Sequence, residues 1–341
     1  MTKRHANQDL STGGSVSELI EGFWITQLIG TAVALGIADV LERGPSSAAA
    51  IAQACDADPS SILRVLRGLQ TVGIVRPLSD SRFELSARGQ VLRRGAADSI
   101  SGRALFTSGI MWDLYTQLRT VVKTGRSLPA GREGFDRLAE HPGLTGMHQA
   151  MVESSIRIIE DAAQVYDFGH YSRVLDVGGG FGGALATLLR RYDGMRGSVF
   201  DLSYLECEAT AHLRTSGVAD RARFTAGDFF ESVPSGYDCY ILKYIIHDWG
   251  DAEALQILQR CAQAAQPNAH VVLFERVLPE VLNESAEHQS IMQIDLAMMT
   301  TGGKERTENE YRQLLADAGL RMTSVTRTAS PCSVIHAVPA M

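Results

Sequence analysis

Apolar positions recur at helical spacing from Ser17 to Arg43, and Gly44-Pro45 stops the run. A short helix is predicted over Ala48 to Cys55, then a turn at Asp56 to Pro59. A second helix, opened by Ser60, carries Leu63, Val65, Leu66 and Leu69 and ends at Gly73. There the period drops to two, because Ile74-Val75-Arg76 and Arg82-Phe83-Glu84-Leu85 flank a polar turn at Ser79 to Ser81. This order predicts a winged helix-turn-helix. Helical patterns then fill residues 99 to about 165, broken at Pro129-Ala130-Gly131 and His141-Pro142-Gly143.

After Tyr171 the texture changes. Short apolar segments at Val174 to Val177, Gly197 to Leu202, Arg223 to Ala226, Cys239 to Leu242 and His270 to Glu275 alternate with helical runs such as Ala184 to Arg191 and Ala252 to Ala265. Alternation of this kind predicts an α/β fold with a doubly wound, Rossmann-like sheet. The division expected is a polar tail over 1–15, a mostly helical winged-helix domain over 16–100, a helical linker over 101–165 that contributes to a substrate pocket, and the sheet domain over 166–341.

A winged helix raises the possibility of a transcription regulator, and charge decides against it. The chain of 341 residues carries 32 Lys and Arg against 39 Asp and Glu, a net charge of -7. Within residues 1–100 the ten basic side chains are balanced by ten acidic ones, and the would-be recognition helix holds only Arg64 and Arg67. Phosphate backbones are held by cationic surfaces, so no nucleic-acid partner is expected. Dimerisation and covering a substrate pocket suit this domain better. Hydrophobic residues make up 45% of the chain, enough for a sizeable core. The five cysteines are odd in number and scattered, without a C-x-x-C pair or a His at metal-ligand spacing, so neither a disulfide framework nor a metal site is expected. The most apolar stretch, Phe23 to Ile37, is interrupted by Thr26, Gln27 and Thr31 and falls short of a membrane span. It reads as a buried or dimer-forming helix, and with no targeting segment a cytoplasmic location is expected.

The chemistry sits where the predicted strands end. Gly178-x-Gly180-x-x-Gly183 follows the first strand and opens a helix, with Asp176 before it and Asp201 at the end of the next strand. That pattern lets backbone approach a nucleoside-containing cofactor closely while an acid takes the ribose hydroxyls, and NAD satisfies it as well. Gly227-Asp228-Phe229-Phe230 supplies a carboxylate and a ring suited to a purine, and Leu242-Lys243-Tyr244-Ile245-Ile246-His247-Asp248-Trp249 leaves the fourth strand.

Together LDVGGGFGG, FDL, GDFF, LKYIIHDWGD, LFERVLP and GGKERTENEY resemble the plant-type class I S-adenosylmethionine-dependent small-molecule O-methyltransferases, including bacterial antibiotic-tailoring members. The resemblance covers nearly the whole chain. It implies a homodimer, S-adenosylmethionine as cofactor with S-adenosylhomocysteine as product, and no metal. Gly178 and Gly180 would hold the methionine end of the cofactor, with Asp176 beside them. Asp201 and Leu202 would take the ribose, Asp228 and Phe229 the adenine, and Lys243 the carboxylate.

By the same resemblance His247 is the catalytic base, flanked by Glu275 and Glu305. An imidazole suits the task because its proton exchanges near neutral pH, and a carboxylate beside it fixes the tautomer. Each residue also has a plainer explanation. His247 could pack at a helix start, Asp248 could cap the helix that follows, Glu275 could be a surface charge, and Glu305 could belong to a solvated run with Lys304 and Arg306. Met147, Met151, Met298 and Met299, with Met292 near them, offer an adaptable apolar wall for a flat ligand, and Trp112 and Phe106 a lid. Asp248 and Asp295 are placed with that acceptor pocket, although Asp295 can equally be structural. The expected reaction is methylation of an aromatic hydroxyl on a phenazine- or polyketide-like natural product. Hydroxylation or decarboxylation on the same scaffold, and NAD-dependent oxidoreduction, are the alternatives.

Overall fold

The helical run from Ser17 to Arg43 is three helices rather than one: α1 (Val16–Glu21), α2 (Phe23–Ala34) and α3 (Ile37–Glu42). A capping box of Ser15 and Glu18 starts α1, and Gly36, at φ 71°, breaks the chain between α2 and α3. The computed structural model describes residues 15–128 and 144–340. The breaks expected at Pro129-Ala130-Gly131 and His141-Pro142-Gly143, like most of the expected 1–15 tail, lie outside the described residues.

Two units divide the chain, Met1–Arg93 and Arg94–Met341. In the first, α4 (Ala48–Ala54) is followed by α5 (Pro59–Thr71), which starts one residue before Ser60 because Asp58 caps it, accepting from Ser61 N at 2.7 Å. Pro59 at the first helical position loses no hydrogen bond there. Strands β1 (Ser46–Ser47), β2 (Val75–Pro77) and β3 (Arg82–Leu85) pair antiparallel in the order β1-β3-β2, which is the expected wing. Ile51, Ile62, Leu66 and Leu69 are buried between the helices. Arg64 and Arg67 are exposed. So are Leu19, Ile20 and Phe23, at 69%, 69% and 59%, neighbouring apolar side chains of the kind that mark an interaction surface.

The second unit begins with α6 (Ser101–Ser108), α7 (Ile110–Thr124) and α8 (Leu144–Val165). The sheet strands are β4 (Arg173–Val177), β5 (Arg196–Asp201), β6 (Ala222–Ala226), β7 (Cys239–Lys243) and β8 (His270–Glu275), each within one residue of its expected bounds. A short parallel pair, β9 (Val277–Leu278) and β10 (Arg306–Thr307), stands apart. Two strands not anticipated, β11 (Leu320–Arg327) and β12 (Ser333–Pro339), complete a seven-stranded sheet of order β11-β12-β8-β7-β4-β5-β6. Strands β4 to β8 within it pair parallel, and β12 runs antiparallel to both β8 and β11.

Helices α9 (Gly183–Arg191), α10 (Glu206–Thr215), α11 (Asp251–Ala264), α12 (Ala286–Thr301) and α13 (Glu308–Asp317) follow between and after the strands. Leu175, Val177 and Leu273 pack with Leu258 of α11 and Leu315 of α13, whereas Val174, Val272 and Phe274 pack with Leu188 of α9 and Ile159 of α8. Burial on both faces is why these strands read as continuous apolar runs. Among the described residues no helix is long and apolar enough to cross a membrane.

Candidate active site

The glycine turn, Asp201, Asp228-Phe229, the Lys243–Asp248 segment and Glu275 lie at the carboxyl ends of the parallel strands, while Glu305 reaches the same edge from the segment after α12. Past β4 the chain turns through Gly178, Gly180 and Gly182, at φ +68°, +55° and +78°. A Cβ at Gly178 would stand 2.5 Å from Ile245 Cδ1, so the turn needs glycine for space as well as for its dihedrals. Asp176 is buried beneath it, accepting from Leu185 N at 3.3 Å. Burial pushes the Asp176 pKa up to about 7 against the opposing charge of Lys243, whose own pKa burial lowers. Asp176 thus underlies the loop. Asp201 is tied to the loop from above, accepting from Gly180 N and Leu202 N, each at 2.8 Å. Asp228 accepts from Phe230 N at 2.8 Å, and the Phe229 ring edge lies 3.4 Å from where a Gly178 Cβ would be. The acids and rings from β4, β5 and β6 therefore surround one glycine turn.

His247 occupies a single 3-10 turn, Ile246–Asp248, and is 7% exposed. Its Nδ1 lies 2.9 Å from Glu305 Oε1 and 4.0 Å from Glu275 Oε2, while Nε2 lies 3.4 Å from Asp248 Oδ1. Burial alone would lower the imidazole pKa, but Glu305, Glu275 and Asp248 overcome it and raise the pKa to about 9. Burial raises Glu275 to about 7. Neither glutamate is a surface charge, since Glu275 is 0% and Glu305 2% exposed. Asp248 does not cap α11 either, whose N-cap is Gly250 without a side-chain bond. One oxygen of Glu275 accepts from Ile245 N and Ile246 N at 3.1 and 2.8 Å, shaping the turn that carries His247. The second oxygens, Glu275 Oε2 and Glu305 Oε2, are buried without hydrogen-bond partners.

Three residues that sequence reasoning passed over hold this arrangement. Arg306 is fully buried, donating to Ile246 O at 2.8 Å, Trp249 O at 2.9 Å and Asp251 Oδ1 at 2.8 and 3.0 Å. Gly303 lies so close that a Cβ would stand 2.2 Å from His247 O, and the next residue, Lys304, donates its amide to that same oxygen at 2.9 Å. Tyr244, at φ 54°, stacks its ring on His247 with centroids 5.0 Å apart and planes at 21°. The residue types gave little signal: arginine beside lysine and glutamate looks like a solvated run.

Met147 and Met151 lie on α8, and Met292, Met298 and Met299 on α12, all partly buried. Asp295, on the same helix, accepts from Glu305 N at 2.9 Å, so it holds the backbone of the residue that pairs with His247. Phe106 lies on α6 and Trp112 on α7.

Residues 116–321 match the O-methyltransferase domain, and residues 17–93 the O-methyltransferase dimerisation domain. The chain belongs to the O-methyltransferase family. It is 32% identical to O-demethylpuromycin-O-methyltransferase of Streptomyces alboniger, over 94% of this chain and 88% of that one. It is 31% identical to aclacinomycin 10-hydroxylase RdmB of Streptomyces purpurascens, over 88% of this chain and 82% of that one. Among solved structures it superposes at TM-score 0.77 and 28% identity on the O-methyltransferase NcsB1 from neocarzinostatin biosynthesis, covering 96% of this chain and all of the other, a complex with S-adenosylmethionine and 2-hydroxy-5-methyl naphthoic acid. The enzyme is an S-adenosylmethionine-dependent O-methyltransferase with a dimerisation domain at its N-terminal end.

Proposed function

We propose that the enzyme methylates a phenolic hydroxyl on a planar polycyclic natural product, with His247 as general base. The observation that carries the reading is the pairing of His247 Nδ1 with Glu305, at 2.9 Å, which holds the proton on Nδ1. Nε2 is then the basic nitrogen. Its 3.4 Å separation from Asp248 Oδ1 is too long for a strong hydrogen bond, so Nε2 takes an acceptor proton once His247 has itself lost its proton, toward its raised pKa of about 9.

When bound, S-adenosylmethionine supplies an electrophilic methyl group. Asp201 with Leu202, Asp228 with Phe229, and Lys243 are the residues assigned to its ribose, adenine and carboxylate, and Gly178 and Gly180 to its methionine end above Asp176. His247 Nε2 would take the phenol proton as the acceptor oxygen gains the methyl group that the cofactor would supply. Glu305 and Glu275 stabilise the imidazolium that forms. A phenol, with pKa near 10, yields its proton to imidazole far more readily than an aliphatic alcohol does. Met147, Met151, Met298 and Met299 are assigned to the acceptor's flat faces and Asp248 to a second polar group on it. We place the enzyme in the cytoplasm, where its cofactor is made, and the functional division at 16–100, 101–165 and 166–341.

A second reading, hydroxylation, is favoured by the likeness to RdmB. The test is incubation with methyl-labelled S-adenosylmethionine and a panel of fused-ring phenols, aliphatic alcohols and amines. Label appearing on phenols alone, and lost in His247→Ala with cofactor affinity kept, is the expected result. A product gaining oxygen without label supports hydroxylation, and label on amines or aliphatic alcohols refutes the phenol assignment.

A further inference from the structure

Glu275 ends β8 at the active-site edge, and His270 begins it, about 17 Å away at about 3.3 Å per residue. There three imidazoles gather, from residues so far apart in sequence that no ligand spacing announces them. In the antiparallel register of β8 and β12, His336 is opposite Val272. His270, two residues before Val272, lies on the same sheet face, and the diagonal brings His270 Nδ1 to 2.6 Å from His336 Nε2. His170, on the segment entering β4, stands edge-on to His270 with ring centroids 5.9 Å apart; it is exposed and packs on the Tyr171 ring at 3.9 Å, a contact it leaves to reach the other two.

Thr323 on β11 sets the tautomer. Its hydroxyl has one proton, which it donates to His336 O at 3.1 Å, and the same oxygen contacts His336 Nδ1. With that proton committed, the oxygen accepts from Nδ1–H, leaving Nε2 of His336 as a lone pair directed at His270. Neutral imidazole is the form that ligates metals.

We propose that His170, His270 and His336 form a binding site for a borderline transition-metal ion of the Zn²⁺ type. The ion enters between His270 Nδ1 and His336 Nε2 as the two rings part beyond their 2.6 Å separation, the His270 proton passes from Nδ1 to Nε2 of the same ring so that both imidazoles stay neutral, and His170 swings its ring in as the third nitrogen. Imidazole is a preferred donor for such ions, and three nitrogens leave a fourth position for water. Thr323 becomes the outer partner that orients His336, the kind of contact whose loss typically weakens metal binding tenfold or more. The site ties the entry of β4 to the β8–β12 pair, so its effect falls on stability and not on methyl transfer.

The test is calorimetric titration of the full chain with zinc chloride, with melting temperature as a second readout. One ion per chain, a raised melting temperature, and affinity lowered about tenfold or more in His170→Ala, His336→Ala and Thr323→Val are expected. The competing location is the active site, where ligand atoms of His247, Glu275 and Glu305 lie within 4.8 Å of one another. Glu305→Gln should therefore leave zinc affinity unchanged. His170 is exposed, so its replacement keeps the test valid if His336→Ala fails to fold. No saturable binding to the wild type, affinity unchanged in His170→Ala, or affinity lost in Glu305→Gln would each overturn the proposal.

Discussion

Replacing Glu305 with glutamine removes one negative charge 2.9 Å from His247 Nδ1 while keeping a carbonyl oxygen able to accept its hydrogen bond. The rise of the His247 pKa from 6.5 to about 9 is worth roughly 3 kcal/mol in favour of the imidazolium, at about 1.4 kcal/mol per pH unit. Three carboxylates produce that net rise against the lowering effect of burial, with Asp248 at 3.4 Å and Glu275 at 4.0 Å behind Glu305, so the nearest one accounts for at least about 1.5 kcal/mol. With His247 as the proposed base, its imidazolium forms as the methyl moves, so losing that stabilisation lowers kcat about tenfold. Removing an anion also makes His247 less basic. The acid limb of the kcat/KM profile should move down by about one pH unit, and the deficit should be smallest at low pH, growing to about tenfold on the alkaline plateau. Labelled methyl transfer from pH 5.5 to 10 is the assay, where those bounds are roughly one unit below the ordinary imidazole range and one above the raised value. A deficit independent of pH, with the limb unmoved, would refute the electrostatic role given to Glu305.

Asp201→Ala should weaken S-adenosylhomocysteine binding by about 1 kcal/mol or more in calorimetry, since the carboxylate is held by Gly180 N and Leu202 N in a position to receive hydroxyls; unchanged affinity would remove Asp201 from the cofactor site. Gly303→Ala places a methyl group 2.2 Å from His247 O, against backbone that cannot retreat, so turnover should fall at least tenfold with the melting temperature lowered as well, and a fully active variant would show the turn to be soft. Ile20→Asp with Phe23→Asp charges an exposed apolar face of the dimerisation domain, so light scattering should fall to a single chain mass of 37.0 kDa from twice that value. A dimer that survives both changes would place the interface elsewhere.

Contiguous stretches were the legible part. The glycine turn, Gly227-Asp228-Phe229-Phe230 and His247-Asp248-Trp249 each keep their chemistry within a few residues, and the central parallel strands β4, β7 and β8 are mostly apolar on both faces. β11 escaped notice because Leu320 and Met322 are its buried positions while Arg321, Thr323 and Ser324 face outward, which looks like loop composition. Gly36 was invisible for a different reason: a glycine within a helical pattern marks a break only when its φ is known. Arg306 was hidden by its neighbours, because a buried guanidinium satisfied by Ile246 O and Trp249 O has the same spelling as a solvated one. Long-range partners leave no local trace.

Asp295 sits three residues before Met298 on one rigid helix and grips the amide of Glu305. With Met298 against the acceptor, as proposed, a molecule of the wrong thickness that shifts α12 also shifts the carboxylate behind the base. Fit is then felt as proton affinity. A poorly shaped acceptor is penalised in turnover even when it binds, so this helix makes discrimination between acceptors kinetic as well as steric.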